Sequence, residues 1–302
     1  MKAARIHRFG PPEVVVLEDV PVPSPGPSEV LVRVAAAGAA PWDALIREGK
    51  SKVSPRPPLT LGSDLSGAVA AVGSEVIGFA VGDEVYGVTN PQFCGAQAEY
   101  AVAAAGMIAP KPHSLSHVQA ASAPVVAVTA WQMLFQYAQA MRHDTVLIVG
   151  AAGNVGAYSV QMAIDAQMQV IAVARASDED MLRALGVESI FDSTSPGFEK
   201  GLPQVDAILD TVGGSALERC VAALKPAGRL VTTVSAQPLP SRAIFFYAEV
   251  TTVRLRTLTT LFESGRISPR VGSVLPLSEA RLAQDMLAGA PHLPGKIVLK
   301  VL

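Results

Sequence analysis

The stretch TVLIVGAAGNVGAYSV, Thr145 to Val160, passes from an apolar run through three glycines into a helical pattern. Residues of these types at this spacing, between a strand and a helix, form the turn that holds a dinucleotide by its pyrophosphate. The turn reads Gly150-Ala151-Ala152-Gly153-Asn154-Val155-Gly156. Gly153 lets the backbone approach the pyrophosphate, and Gly156 lets helix and strand pack closely. The helix N-terminus adds free N–H groups and a positive dipole end for phosphate. Ala151 stands at the first glycine of the G-x-G-x-x-G form, a departure that a small side chain accommodates.

The end of the next strand selects between two dinucleotides. A site for NAD closes that strand with an acid that binds the ribose hydroxyls. Here QVIAVA ends at Ala174, eighteen residues after Gly156, and Arg175 follows it. With no acid there is no ribose anchor and no repulsion of a 2′-phosphate. The Arg175 guanidinium can pair with such a phosphate in a charge-assisted way, and Ser177 can add a hydroxyl. NADP(H) is therefore the expected cofactor.

Elements that would position this turn alternate along the middle of the chain. TVLIV, a helix from Asn154, QVIAVA, a helix from Ser177, SIF, VDAILD, a helix from Ser215 and RLVTTV follow one another. Short apolar strands alternating with amphipathic helices predict a parallel sheet with helices on both faces. Ser177-x-x-Asp180 reads as a capping box, and Gly186 as the end of that helix. Val212-Gly213 and Thr233-Val234-Ser235 end the fourth and fifth strands, where a cofactor rests in doubly wound sheets.

The first third reads differently. Short runs at Val14–Leu17, Val30–Val34, Ala68–Val72, Glu84–Val88 and Ala98–Val102 stand between Pro and Gly clusters. That spacing predicts an irregular barrel or sandwich, interrupted by a helix over Pro41–Arg47 with Pro41 in its first turn. Ser116 reads as a helix cap. After Ser264, PLSEARLAQDML reads as a capped amphipathic helix and GKIVLKVL as a closing strand. One strand and one helix bury no core alone, so both are expected to rejoin the first domain.

Composition agrees with two globular domains. The chain has 302 residues, 50% hydrophobic and 17% charged, with a formal net charge of −2. Apolar content at that level argues against disorder, and no basic run invites nucleic acid. Cys94 and Cys220 are the two cysteines and belong to no CxxC, which suits a reducing, cytoplasmic setting. The N-terminus shows no apolar core of signal-peptide length. Val118 to Met141 carries no Lys, Arg, Asp or Glu, but Pro124 and four glutamines divide it, so a buried helix pair is expected there rather than a membrane span.

Taken together, these stretches resemble the medium-chain dehydrogenase/reductases, specifically the zinc-free quinone oxidoreductase branch that includes zeta-crystallin. AAAGAAPWDALIREG, LGSDLSGAVAAVGSEVIGFAVGDEVYG, AEYAVAAAGMIAPKPHSLSHVQAASAPVVAVTAW, VDAILDTVGG and GKIVLKV carry the resemblance, in order and at family-like spacing. It implies an α/β protein: a GroES-like β-barrel domain, residues 1–115 and 265–302, and a Rossmann doubly wound parallel-sheet domain, residues 116–264. The resemblance also implies an active site in the cleft between them. Zinc-dependent relatives carry metal ligands where this chain has Ala40, Ser63 with Asp64, and Val125, so no metal is expected. His113-x-x-x-His117 has helical spacing, but Pro112 and the Ser116 cap are expected to keep the two rings off one face.

Further implications of the resemblance concern substrate and assembly. It places Thr129 near the nicotinamide, and Trp42, Ser63, Asp64 and Phe93 in the substrate pocket, with Asp64 and Thr129 as the weak candidates for catalysis. Trp42 and Leu45 replace polar residues of relatives, and Ser193 replaces a tyrosine used near the 2′-phosphate. Asp43 is read as a structural carboxylate at a helix start. The implied activity is zinc-independent hydride transfer from NADPH to a quinone or related conjugated carbonyl. An alkenal or enoyl C=C reductase and a non-catalytic NADPH-binding protein are the alternatives. A homodimer is implied, with Arg242–Val250 suited to the sheet edge that would pair.

Overall fold

The structure, a computed structural model, describes residues 1–235 and 239–302. The chain divides into two compact units. One comprises Met1–Val125, Val250–Gly265 and Pro269–Leu302; the other comprises Val126–Glu249 and Arg266–Ser268.

The spine of the first unit is an eleven-residue strand, Glu29–Ala39. It pairs antiparallel with Asp64–Val72 along one edge. Its other edge takes Tyr100–Ala104 first and Lys296–Lys300 beyond it, both antiparallel. Glu84–Val88, Ile108–Pro110 and Val271–Pro276 extend this sheet. Bulges between Leu31 and Val32 and between Val34 and Ala36 bend the spine, since an extra residue on one strand raises local twist and curvature. Val30, Val32, Val34, Leu65, Val69 and Val85 alternate inward and are buried. A second, three-stranded sheet joins Val15–Asp19, Lys2–Ile6 and Leu59–Thr60.

The spine runs five residues beyond the expected Val30–Val34, through AAAGA to Ala39. Small side chains have weak strand propensity, so periodicity stops short of this segment. Crowding by neighbours explains them. A Cβ on Gly38 would lie 2.8 Å from the Ala121 carbonyl oxygen, 2.9 Å from Asp64 Cβ and 3.0 Å from Lys296 Cε. The helix Pro41–Arg47 follows with the expected bounds. Its buried Arg47 donates to the Gly10 carbonyl at 2.8 Å and to Gln284 Oε1 at 3.0 Å, tying the helix Ala280–Leu287 to this unit.

Six parallel strands form the sheet of the second unit. Their order is Ser189–Asp192, Gln169–Ala174, Thr145–Val149, Val205–Asp210, Leu224–Thr232 and Ala243–Phe245. Numbered along the chain this is 3-2-1-4-5-6, the doubly wound order. Leu147, Val149, Ile171, Val173, Ile208 and Leu230 form its buried core. Ala243–Phe245 is the edge strand and lies within the Arg242–Val250 segment.

Ser116 caps the helix His117–Ala121, its hydroxyl accepting from the Gln119 N–H, while Gln119 Oε1 accepts from the Ser116 N–H. Pro124–Trp131 forms the second helix of this apolar segment and continues as a π-helix over Gln132–Tyr137. Among the described residues no helix is long and apolar enough to cross a membrane.

Two expected caps do not form. After Ala174 the chain enters a 3₁₀ turn, Ala176–Asp178, and the α-helix starts only at Glu179. Ser177 therefore lies inside the turn, where it cannot cap, and the Ser177–Asp180 box is absent. Likewise Leu277–Glu279 is a 3₁₀ turn, and no side chain caps the helix Ala280–Leu287 that follows. In both places a tight turn at the strand exit takes up the residues that would otherwise act as caps. Gly186 does end its helix, at φ +91°, with Val187 N–H donating to the Leu182 carbonyl.

Candidate functional site

The glycine turn joins Thr145–Val149 to the helix Asn154–Asp165. Gly150 adopts φ +80°, and a Cβ there would lie 2.4 Å from Thr211 Oγ1 and 2.6 Å from Val212 Cγ2. Gly156 is more constrained still: its Cβ would lie 2.1 Å from the Gly150 carbonyl oxygen and 2.8 Å from Ala151 Cα. Gly153 instead is exposed, with only the Gly150 oxygen 3.3 Å from its Cβ position. The turn is thus closed against itself at Gly156 and open to solvent at Gly153. Gly153 is the N-cap and has no side chain to occupy the first-turn N–H groups. Those donors, at Asn154 and Val155 among them, remain available for an anion. Ala151 is fully buried beneath the turn.

Asp210, fully buried at the end of the fourth strand, shapes the opposite wall. One carboxylate oxygen accepts from the Val212 N–H at 3.0 Å and the Gly213 N–H at 2.8 Å. The other accepts from Thr232 Oγ1 at 2.6 Å. Thr232 Oγ1 in turn accepts from the Val234 N–H at 3.0 Å. One carboxylate therefore sets both segments that end strands four and five, leaving Val212 exposed and Ser235 at the surface. Gly213, at φ +71°, packs against Val234, whose Cγ1 would lie 2.9 Å from an added Cβ.

A cavity of about 350 Å³ opens between these parts. Gly150, Gly153, Ala174, Arg175, Thr211 and Val212 line it, and so does Ala152. Two further lining residues, Asp178 and Ser193, carry polar side chains. Ser177 is exposed on the 3₁₀ turn and does not line this cavity. Thr129 is buried on the helix Pro124–Trp131. The cavity, open glycine turn and free helix N-terminus fit a dinucleotide.

A second cluster lies in the barrel unit. The Trp42 indole N–H donates to Ser63 Oγ at 3.0 Å. Beneath the indole, Lys296 Nζ stands 4.4 Å from the ring centroid and 2.8 Å from Asp64 Oδ2. Asp64 Oδ1 accepts from the Val125 N–H at 3.1 Å. Both charged side chains of this pair are at most 2% exposed. Phe93 packs on the same apolar cluster as Trp42, in the left-handed region at φ +57°. Its loop is clamped by Thr89 Oγ1 and Asn90 Nδ2, each donating to the Cys94 carbonyl at 2.8 Å.

Asp43 is the third charged group of this cluster. Its Oδ2 accepts from the Ala40 N–H at 2.9 Å, which closes the helix start, while Oδ1 is buried without a hydrogen-bond partner among the described residues. Burial pushes its carboxyl up to about 7; Asp64 adds to the rise, while the Lys296 charge and the Ala40 N–H oppose it.

Comparison with known proteins agrees with both halves of this geometry. Residues 26–113 match the alcohol dehydrogenase GroES-like domain, and residues 185–299 match the family described as zinc-binding dehydrogenase. A 2-methylene-furan-3-one reductase of Solanum lycopersicum is 32% identical over 92% of this chain and 73% of its own. The quinone oxidoreductase of Lama guanicoe is 30% identical over 99% of this chain and 97% of its own. The solved structure of the quinone oxidoreductase from Coxiella burnetii superposes with a TM-score of 0.92, at 33% identity, over 100% of this chain and 99% of that one. The chain belongs to the quinone oxidoreductase branch of the medium-chain dehydrogenase/reductases. It is an oxidoreductase of a family that works with nicotinamide cofactors.

Of Ala40, Ser63, Asp64 and Val125, Asp64 alone carries a side chain of the kinds that bind zinc. Asp64 is committed to Lys296 and to the Val125 N–H. Among the described residues no three His, Cys, Asp or Glu side chains gather as a metal site. His117 bonds Ser66 Oγ and Glu84, whereas the His113 N–H is held by Glu263.

Beyond the residues expected to bind or react, the two sites also use Asp43, Lys296, Asp210 and Asp178. Asp210 had a signal, the Asp-Thr-Val-Gly-Gly run at a strand end; Lys296 had none that pointed to Asp64.

The raised Asp43 carboxyl makes stability pH-dependent in a stated direction. The folded state holds a proton that the unfolded state, with its ordinary carboxyl near 3.8, releases earlier. Stability therefore falls as pH rises from about 4 to about 7 and then levels. Asp43→Asn keeps the acceptor for the Ala40 N–H and removes the titration. Relative to wild type, the variant is expected to gain stability from about pH 5 to about pH 8, by on the order of a few kcal/mol. Denaturant midpoints at the two pH values check this; a pH-independent difference would contradict it.

Proposed function

We propose that this chain is an NADPH-dependent reductase that passes hydride to a quinone or a related conjugated carbonyl without zinc. The observation that carries the cofactor half is Arg175 on the cavity of the glycine turn, with Ala174 where an acid would receive ribose hydroxyls. A guanidinium there suits a 2′-phosphate. When bound, the nicotinamide supplies the hydride. The first-turn N–H groups after Gly153 hold the pyrophosphate, and Asp210 holds the Val212–Gly213 wall in place.

The substrate half rests on the barrel cluster. With Lys296 engaged by Asp64 and the indole of Trp42 fixed by Ser63, this region offers a rigid flat ring and few polar groups. Such a surface holds a planar acceptor by stacking. Positioning two reactants is worth roughly 7–11 kcal/mol in favourable cases. Planar, electron-poor acceptors take hydride without strong polarisation, which suits a cluster in which Asp64 is engaged by Lys296. Reduction of a C=C bond conjugated to a carbonyl is the second reading, favoured by the 32% identity to a 2-methylene-furan-3-one reductase.

Arg175→Ala tests the cofactor assignment. NADPH oxidation with 1,4-quinones is expected to exceed NADH oxidation in the wild type. The variant is expected to lose about tenfold or more of that preference. An unchanged cofactor ratio would refute the role of Arg175. Turnover of quinone and enone panels separates the two substrate readings, and NADPH binding with no oxidation by either panel would overturn both.

A further inference from the structure

Arg175 does not stand alone on the cavity beside the glycine turn. A single 3₁₀ turn, Ala176–Asp178, follows it, closed by the Asp178 N–H donating to the Arg175 carbonyl at 3.0 Å. That turn returns the chain to the cavity, so Asp178 lines the same space as Arg175 and Ser193. Asp178 is half-buried, and as the residue before the helix Glu179–Ala184 its side chain caps no N–H. Among the described residues neither the Arg175 nor the Asp178 side chain forms a hydrogen bond or ion pair. The other nearby carboxylate, Asp192, is engaged by Thr194 and Ser195 in its own turn and by the Ala176 backbone N–H. Two opposite charges thus face one cavity without neutralising each other.

We propose that Asp178 is a second cofactor-selecting residue that opposes Arg175 and keeps NADH usable alongside NADPH. A ribose with free 2′- and 3′-hydroxyls presents donors, and a carboxylate is an acceptor-only group that receives them. A 2′-phosphate presents negative charge and acceptors, so the same carboxylate repels it while the guanidinium attracts it. Asp178 takes the place of the missing acid at Ala174, displaced by one turn and now accompanied by a cation. Ser193, tethered by its N–H to the Ala174 carbonyl at 2.7 Å, is neutral and can serve either ligand. The inference rests on the dinucleotide reading above and adds to it a graded choice between two cofactors.

Fragments without a nicotinamide test this apart from turnover. Calorimetric titration of the whole chain with 2′,5′-ADP and with 5′-AMP reads the phosphate preference directly. Asp178→Asn and Asp178→Ser are each expected to tighten 2′,5′-ADP about fivefold and to weaken 5′-AMP, and the shift should shrink in high salt. Arg175→Ala is expected to move the ratio the opposite way. A ratio unmoved by both Asp178 variants, while Arg175→Ala shifts it, overturns this inference and leaves the Arg175 assignment standing. A ratio unmoved by all three overturns the roles of both residues, and no binding of either fragment overturns the dinucleotide reading itself.

Discussion

Lys296→Met is expected to destabilise the barrel unit by about 3–5 kcal/mol, the cost of leaving a buried charge without its partner. Among the described residues Lys296 is the one cation that reaches Asp64, at 2.8 Å, and both side chains are at most 2% exposed. It also offsets part of the burial at Asp43. Methionine has a similar volume, so packing is largely kept while the charge is removed. Asp64 is then left a buried carboxylate without its cation, which costs free energy. The double variant Asp64→Asn with Lys296→Met is expected to recover much of the loss, because no lone charge remains. Denaturant unfolding followed by tryptophan fluorescence measures this, since Trp42 lies over Lys296. A single-variant loss below about 1 kcal/mol, or a double variant no more stable than the single one, would show that the pair does not hold this region.

The second large effect belongs to the glycine turn. Gly156→Ala places a methyl group 2.1 Å from the Gly150 carbonyl oxygen and 2.9 Å from the Ala151 carbonyl carbon. Those atoms are backbone within the turn itself and cannot rotate away. Overpacking of this kind costs roughly 1–3 kcal/mol, and it also pushes the helix N-terminus away from the strand. Dinucleotide affinity is expected to fall by about a hundredfold, the scale on which an ångström of misplacement acts. Gly153→Ala is the contrast, because its Cβ meets only the Gly150 oxygen at 3.3 Å. That variant is expected to melt within a few degrees of wild type while its added methyl group obstructs the pyrophosphate. Fluorescence titration with NADPH beside thermal melts separates the two. Equal melting temperatures for both variants would mean that Gly156 is not a packing position.

Much of the second unit was legible because its signals are local. Thr145–Val149, Gln169–Ala174 and Val205–Asp210 run over the bounds that their apolar runs predict, since an apolar run ending in Gly, Arg or Thr marks its own edges. Pro41 and Arg47 bounded their helix for the same reason. The Ser177–Asp180 box was local too and still did not form. The spacing was right, but the strand leads straight into a 3₁₀ turn that takes up Ser177. Competing turn chemistry, invisible in residue types, decided it.

The residues alone placed a glycine turn between a strand and a helix, put Ala174 and Arg175 at the end of the next strand, and carried the resemblance to the quinone oxidoreductases. Each of these depends on neighbours within a few residues or on a motif read in order. Tertiary structure decided the rest. It brought Lys296 across 232 positions to Asp64, and it buried Asp43 until its carboxyl titrates near neutrality. It also folded Asp178 back onto the cavity of Arg175. Charge pairing and desolvation depend on distance in space and on the removal of water, and neither quantity is written along the chain.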